Sequence, residues 1–180
     1  MPPKTFKKEQ LPPQDIDAEQ SVLGSLLIDK DAIIKIADII TVGDFYRKSH
    51  EIIFQAILDL YSKSEPIDLL TVSSRLKEKK QFKEIGGVSY LTTLMNFVPT
   101  ASNVIHYAKI VNQKRVLRDL ISAANEISSL AWEENKNTDE ILDEAEKKIF
   151  SVSQTSLIQE FQHIKLHLAE AFERFDRLHK

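Results

Sequence analysis

Between Ser102 and Glu134 the chain contains neither glycine nor proline, and apolar residues recur at helical spacing: Val104, Ala108, Val111, Leu117, Leu120, Ile121, Ala124, Ile127 and Leu130. Glycine and proline are the residues that most readily interrupt a helix, so one long helix is expected here. Asn135-Lys136-Asn137 follows as a short polar turn. Thr138 is then placed to cap a second helix, with Asp139 and Glu140 in a first turn where negative charge opposes the positive helix end. Leu142, Ala145, Ile149 and Val152 recur along it at three-four-three spacing. Two helices joined by so short a turn must lie antiparallel, side by side. The apolar stripe on the long helix, which also takes in Val116, Ala123 and Ala131, is wider than one neighbouring helix can cover. Large exposed apolar surface marks an interface, so the hairpin is expected to self-associate. The plainer alternative is that its two helices only pack on each other.

Ahead of the hairpin the pattern is a series of shorter helices. Pro2-Pro3 and Pro12-Pro13 bracket a leader carrying Lys4, Lys7 and Lys8, which prolines hold extended. Asp15 or Asp17 can cap a helix through Val22, Leu23, Leu26 and Leu27, in which Gly24 is tolerable if another helix packs close to it. Ala32 to Ile40 reads as a short apolar helix ended by Gly43-Asp44, and Asp44-Phe45-Tyr46 as a turn with both aromatics tucked inward. Ser49 to Tyr61 is amphipathic. Asp68 caps a helix running to Lys77, Lys79 and Lys80, cations that complement a helix C-terminus and need no ligand to explain them. Gly86-Gly87 is a turn, and Val88 to Phe97 a helix closed by Pro99. No alternating strand of useful length is present. The reading is therefore all-α: a leader (1–14), a globular helical head (15–100), a long antiparallel helical hairpin for oligomerisation (101–153), and a linker with its helix (154–180).

Residues 151–156 are small and polar and read as the linker. Beyond them Leu157, Phe161, Ile164, Leu168, Ala171, Phe175 and Leu178 form a four-three seam that has no partner within the chain.

Several chemistries are excluded or weakly supported. None of the four glycines belongs to G-x-x-x-x-G-K-[ST], so the segment has no phosphate-cradling loop of that kind. There is no cysteine, hence no disulfide, thiolate site or thiol nucleophile. His163 and His167 lie one helical turn apart, but a third ligand and a base are not evident, and a solvated helix face explains them. His50, His106 and His179 stand alone. The acidic run Asp139, Glu140, Asp143, Glu144 and Glu146 fits a helix N-terminus better than a catalytic carboxylate pair. Lys114, Arg115 and Arg118 are expected to make surface salt bridges, with a phosphate or an acidic partner as the alternative. A net charge of −3 argues against tight DNA binding by this segment alone, and so against a helix-turn-helix protein. Neither a secretory signal nor a membrane span is visible, which with the absence of cysteine fits the cytoplasm. No catalytic residue, metal site or cofactor is expected in this segment.

The ordered series Pro12-Pro13-Gln14-Asp15-Ile16-Asp17-Ala18-Glu19-Gln20-Ser21-Val22-Leu23-Gly24, Asp44-Phe45-Tyr46-Arg47, His50-Glu51-Ile52-Ile53-Phe54, Pro66-Ile67-Asp68, Gly86-Gly87-Val88-Ser89-Tyr90-Leu91, Pro99-Thr100-Ala101-Ser102-Asn103 and Tyr107-Ala108 closely resembles the N-terminal part of DnaB-family replicative helicases. Glu170-Ala171-Phe172-Glu173-Arg174 resembles the linker helix of that family. The resemblance implies a head and hairpin that build the N-terminal tier of a hexamer as a trimer of dimers. In such proteins ATP and magnesium bind a RecA-like C-terminal domain, which drives the ring 5′ to 3′ along one DNA strand. It further implies docking of the C-terminal helicase-binding domain of primase, and a loader as another partner. Carried onto this sequence, the dimer contact falls on Val116, Leu117, Leu120, Ile121, Ala124, Ile127, Leu130, Leu142, Ala145 and Ile149. The primase contact falls on the head around Tyr90 together with the hairpin. The linker-helix contact with a neighbouring ATPase domain falls on Phe161, Ile164, Leu168, Phe172 and Phe175. The unpaired seam after Leu157 favours a segment of a longer helicase; the alternative is a stand-alone regulator or loader-like relative without a motor.

Overall fold

The computed structural model describes residues 11–132 and 136–154, and every regular element among them is helical. In chain order these are α1 (Ile16–Ile28), α2 (Ala32–Ile36), a 3-10 turn (Val42–Asp44), α3 (Lys48–Ser62), α4 (Leu69–Glu78), α5 (Gly87–Phe97), α6 (Val104–Leu130) and α7 (138–154). No helix among the described residues is long and apolar enough to cross a membrane.

The head is built around α1. Asp15 caps it, its carboxylate accepting from the Ala18 amide at 3.0 Å. From Ala18 to Leu27 only Gln20 is not buried, so this helix is enclosed on nearly every side. Its serines fit that setting because Ser21 and Ser25 donate to the carbonyls one turn back, Asp17 and Ser21, at 2.7 Å. Helix α5 runs alongside in the same direction, with Gln20 meeting Tyr90 and Gly24 meeting Leu94. Helix α6 covers another side in the opposite direction, its Arg118 reaching Pro13. Helices α3 and α4 close the remaining flank with Ile53, Phe54, Ile57, Leu60, Val72 and Leu76.

Two features of the sequence reading are realised at single residues. A Cβ on Gly24 would lie 2.2 Å from the Leu94 carbonyl oxygen, so a backbone of α5 occupies the space any side chain would need. Asp68 forms a reciprocal cap with Thr71: the Thr71 amide donates to Asp68 at 2.8 Å, and the Asp68 amide donates to the Thr71 hydroxyl at 3.0 Å. At the other end of α4, Lys79 pairs with Asp59 of α3. Burial disfavours charge on Asp59, but the hydrogen bonds from Lys79 and Gln55 outweigh it and hold the carboxyl below its ordinary range.

Other expectations are corrected. Helix α2 stops at Ile36 rather than Ile40, continuing as turns in which Ile39 and Ile40 both donate to the Ile36 carbonyl. The bonding tightens at Ile39 to a residue three back, and burial of Ile40 does not require the helix to continue. Phe45 is buried, but Tyr46 stays partly exposed beneath the Arg118 guanidinium, whose carbon lies 5.8 Å from the ring centroid. The cap of α7 is Asn137, not Thr138: its side-chain oxygen accepts from the Glu140 amide at 2.9 Å. Residues 151–154, read as linker, belong to α7. The Ser151 hydroxyl donates to the Lys148 carbonyl, so a small polar residue is accommodated there without ending the helix.

Gly24→Ala should lower stability by about 1–3 kcal/mol in urea denaturation, because α1 and α5 must move apart to admit the methyl group. Asp68→Ala should cost about 1 kcal/mol at neutral pH through loss of the cap. The Thr71 amide holds the Asp68 carboxyl below its ordinary value of 3.8, so the stabilisation is present above that pH and lost as pH falls through the folded value. The stability gap between wild type and Asp68→Ala should accordingly narrow on acidification below it.

Candidate assembly surface

Beyond Val111, Ala123 is the one buried hydrophobic residue of α6, so the second half of this helix leaves the head and forms an arm with α7. The arm is fixed at its root by Asp44, which is 1% exposed. Asp44 accepts from the Thr41 amide and hydroxyl at 3.0 Å each, from Asn112 at 3.3 Å and from Arg115 at 2.7 Å. One turn further along α6, Arg118 donates to the backbone carbonyls of Asp44 at 2.6 Å and Pro13 at 3.0 Å. Burial works against the charged form of Arg115, but Asp44 and Asp119 more than restore it, leaving its pKa above the ordinary value. Arg115 and Arg118 therefore bind the head, a role that the expectation of surface salt bridges captured only in part. The local signal was Thr41-x-x-Asp44, a capping pattern that makes Asp44 an acceptor already held in place.

A second polar cluster lies inside the head. Glu19, 1% exposed, accepts from the Tyr46 amide at 2.7 Å, the Arg47 amide at 3.4 Å and His50 Nδ1 at 2.5 Å. A carboxylate only accepts, so Nδ1 donates; Nε2 of the same ring lies 2.6 Å from the Tyr90 hydroxyl. Helix α3 has no side-chain cap of its own at Arg47, and Glu19 places a negative group at that end instead. His50 is thus a fully buried bridge. Tyr90, expected at a primase contact, is half-buried with its hydroxyl committed inward.

The arm has two unlike sides. Ala123, Ile127 and Leu130 of α6 and Ile141, Ala145 and Val152 of α7 turn towards each other and are buried or half-buried. On one edge Ser122 donates to Glu126 and Lys148 pairs with Glu126, holding that carboxyl below its ordinary range. On the other side Leu117, Leu120 and Ile121 remain 46%, 48% and 49% exposed, with Ala124 beside them. Leu142 and Ile149 of α7 turn to the same side, away from Lys148, and are 61% and 53% exposed. Of the ten residues expected at a dimer contact, Leu117, Leu120, Ile121, Ala124, Leu142 and Ile149 form this open face. Val116, Ile127, Leu130 and Ala145 are half-buried and lie closer to the seam between the two helices. Exposed Trp132 at the tip and Phe150 on the back of α7 were not anticipated, since one apolar residue off the stripe leaves no periodic signal. Phe161, Ile164, Leu168, Phe172 and Phe175, with His163 and His167, lie outside the described residues.

Asp44→Ala should lower stability by about 2 kcal/mol in urea denaturation, since it removes the acceptor of Asn112 and of the Thr41 amide and leaves Arg115 with Asp119 alone. An unchanged denaturation midpoint would show that the arm does not depend on this carboxylate.

Residues 11–113 match the family described as DnaB-like helicase N terminal domain. The chain is 43% identical to the replicative DNA helicase DnaB of Geobacillus stearothermophilus and 41% identical to the replicative DNA helicase DnaC of Bacillus subtilis (strain 168). Each alignment covers 95% of this chain and 38% of the relative, so the chain spans about two-fifths of the length of these helicases. The crystal structure of the N-terminal domain of DnaB helicase from Mycobacterium tuberculosis superposes with a TM-score of 0.75 at 42% identity, over 78% of this chain and 99% of that domain. A structure described as a DnaB-like replicative helicase and its interactions with primase shares the fold, with a TM-score of 0.65 at 24% identity over 84% of this chain and 35% of that one. A family match over more than half of the sequence, and a solved domain covered almost end to end by the same helices, show that the chain belongs to the DnaB-like helicase N-terminal domains.

Proposed function

We propose that this chain is the assembly and partner-docking domain of a hexameric replicative DNA helicase. The observation that carries the reading is the one-sided arm: a polar edge at Glu126 and Lys148, and an open apolar face of Leu117, Leu120, Ile121, Ala124, Leu142 and Ile149. Each such leucine or isoleucine is about half exposed, and withdrawing the remainder from water contributes roughly 1 kcal/mol, which favours covering the face. Covering it with a second arm makes a dimer, and three dimers make the N-terminal tier of the ring. In this reading the segment itself performs no chemistry. ATP and magnesium bind a motor domain further along the protein, and DNA passes through the assembled ring in the cytoplasm. Phe161, Ile164, Leu168, Phe172 and Phe175 supply the contact with a neighbouring motor. The C-terminal domain of primase docks on the tier, at the head near Tyr90 and on the arm; the helicase with 24% identity described with primase supports that partner. A helicase loader is a further partner.

Native mass spectra of the chain, alone and with the primase C-terminal domain, test this. The wild type should appear as dimers or larger multiples that gain primase mass. Leu120→Glu should shift it to monomer with helical content unchanged, because the side chain points off the arm and not into the head. Retention of the wild-type mass by Leu120→Glu would reject this face as the assembly contact. Ile127→Glu is a harsher probe, since Ile127 faces α7 and its replacement also opens the arm.

A further inference from the structure

The Glu19 and Asp44 clusters meet at one four-residue corner. Residues 44–47 lead from the 3-10 turn into α3. The first of them is gripped from α6, where Arg118 donates to the Asp44 carbonyl at 2.6 Å and Arg115 to its carboxylate at 2.7 Å. The last two are gripped from α1, where Glu19 accepts from the Tyr46 amide at 2.7 Å and the Arg47 amide at 3.4 Å. Phe45 between them is buried against Phe54, ring centroids 5.0 Å apart, and the Arg118 guanidinium also lies over the Tyr46 ring. The interior of the head and the root of the arm therefore hold the same short segment.

The bonds on the Glu19 side all run in one direction. Gln20 Nε2 donates to the Tyr90 hydroxyl at 3.4 Å. With Nδ1 of His50 donating to Glu19, Nε2 is the acceptor of the ring, and the Tyr90 hydroxyl donates to it at 2.6 Å. Each donor therefore points towards the Glu19 carboxylate, an arrangement in which neighbouring bonds polarise and strengthen one another. The middle of the series is closed to water, since Glu19 and His50 are both buried. Both ends reach the surface: Gln20 and Tyr90 are half-buried at one, and at the other Tyr46 is partly exposed beneath half-buried Arg118. His50 and the two amides already satisfy the carboxylate, so Tyr90 and Gln20 extend the series outward beyond that need.

We propose that this series of bonds is a conformational relay, in which the position of the Tyr90 hydroxyl sets how firmly the arm is held at its root. A tyrosine side chain occupies discrete rotamers, so the hydroxyl is either on Nε2 or off it. Off it, Nε2 is a buried acceptor without a donor, a costly state that persists only until the imidazole turns. Turning the ring takes Nδ1 from Glu19, and the carboxylate then holds the corner by two amides alone. The corner loosens, and with it the Asp44 carbonyl and the Tyr46 ring against which Arg118 rests. A contact that draws Tyr90 away from His50 is thereby felt where α6 leaves the head. The relay lies within one chain, so it depends neither on the pairing of two arms nor on which partner makes the contact.

Hydrogen exchange of the full chain tests the relay. Tyr90→Phe removes the hydroxyl and keeps the ring that stacks on His50, centroids 6.0 Å apart. Exchange should rise by about threefold or more at the Tyr46 and Arg47 amides and along α6 from Asn112 to Arg118. It should stay unchanged at Val72 and Leu76 of α4, which share the core but lie off the relay. Gln20→Met removes only the outermost donor and should raise exchange at the same amides by a smaller factor; it carries the test if Tyr90→Phe does not fold. In urea denaturation, the effect of Tyr90→Phe combined with Arg118→Lys on the unfolding constant should fall short of the product of the single effects by about threefold. Asp68→Ala, off the relay, should multiply with Tyr90→Phe. An equal rise in exchange at α4 and α6 would reduce the cluster to a source of general stability and overturn the relay. Exchange along α6 that ignores both Tyr90→Phe and Gln20→Met would overturn it too, as would effects of Tyr90→Phe and Arg118→Lys that simply multiply.

Discussion

Glu19 brings a carboxylate into the most enclosed helix of the head, and the surrounding structure is organised around what that group requires. An isolated buried carboxylate costs several kcal/mol, so it persists only where donors converge on it. Here the donors are the Tyr46 and Arg47 amides and the imidazole of His50. Meeting that requirement ties α1 to the corner before α3, places a carboxylate at the start of α3, where no side-chain cap is present, and through His50 reaches Tyr90 on α5. The apolar contacts of α1 set how close its neighbours come; the Glu19 cluster sets their register. A hydrophobic interior alone permits sliding, whereas hydrogen bonds to a buried charge have one geometry.

The same logic recurs at the edge of the head. Asp44 ends the 3-10 turn, is held there by Thr41, and receives Asn112 and Arg115 from α6. Arg118 adds the carbonyl of that same residue and the carbonyl of Pro13. Three segments distant in sequence are thereby joined at the place where α6 leaves the head. The arm beyond has few buried residues, so its direction is inherited from this junction. The junction therefore fixes the one direction in which the open apolar face of the arm is presented.

Local sequence information reached the helices, their caps and the stripe, and it failed where partners were distant. Asp15, Asp68 and Gly24 were legible because a cap or a close approach leaves a signature within a few residues. The open face of the arm was legible because the apolar stripe at helical spacing is broader than one neighbouring helix can cover. Asn137 was missed as a cap because Thr138 and Asn137 are both good candidates, and only backbone geometry decides between them. Tyr46 was misjudged because its ring is held partly open by Arg118, which lies about seventy positions away along the chain. The Glu19, His50 and Tyr90 cluster was not legible for the same reason: each residue alone is an ordinary polar side chain. Tyr90 could therefore be assigned to a surface while its hydroxyl faces the interior.

The enclosure of α1 also has a consequence for how the protein is made. The helix that forms the centre of the head leaves the ribosome before the helices that cover it, and two of those, α5 and α6, are among the last elements of the head to follow. Roughly eighty residues separate the end of α1 from Val111, the last head-facing core position of α6. At a synthesis rate of about 5–20 residues per second, α1 waits on the order of ten seconds with an apolar surface and an unpaired carboxylate. The nascent chain consequently passes through an interval in which the future core of the head is open to a chaperone at the ribosome exit.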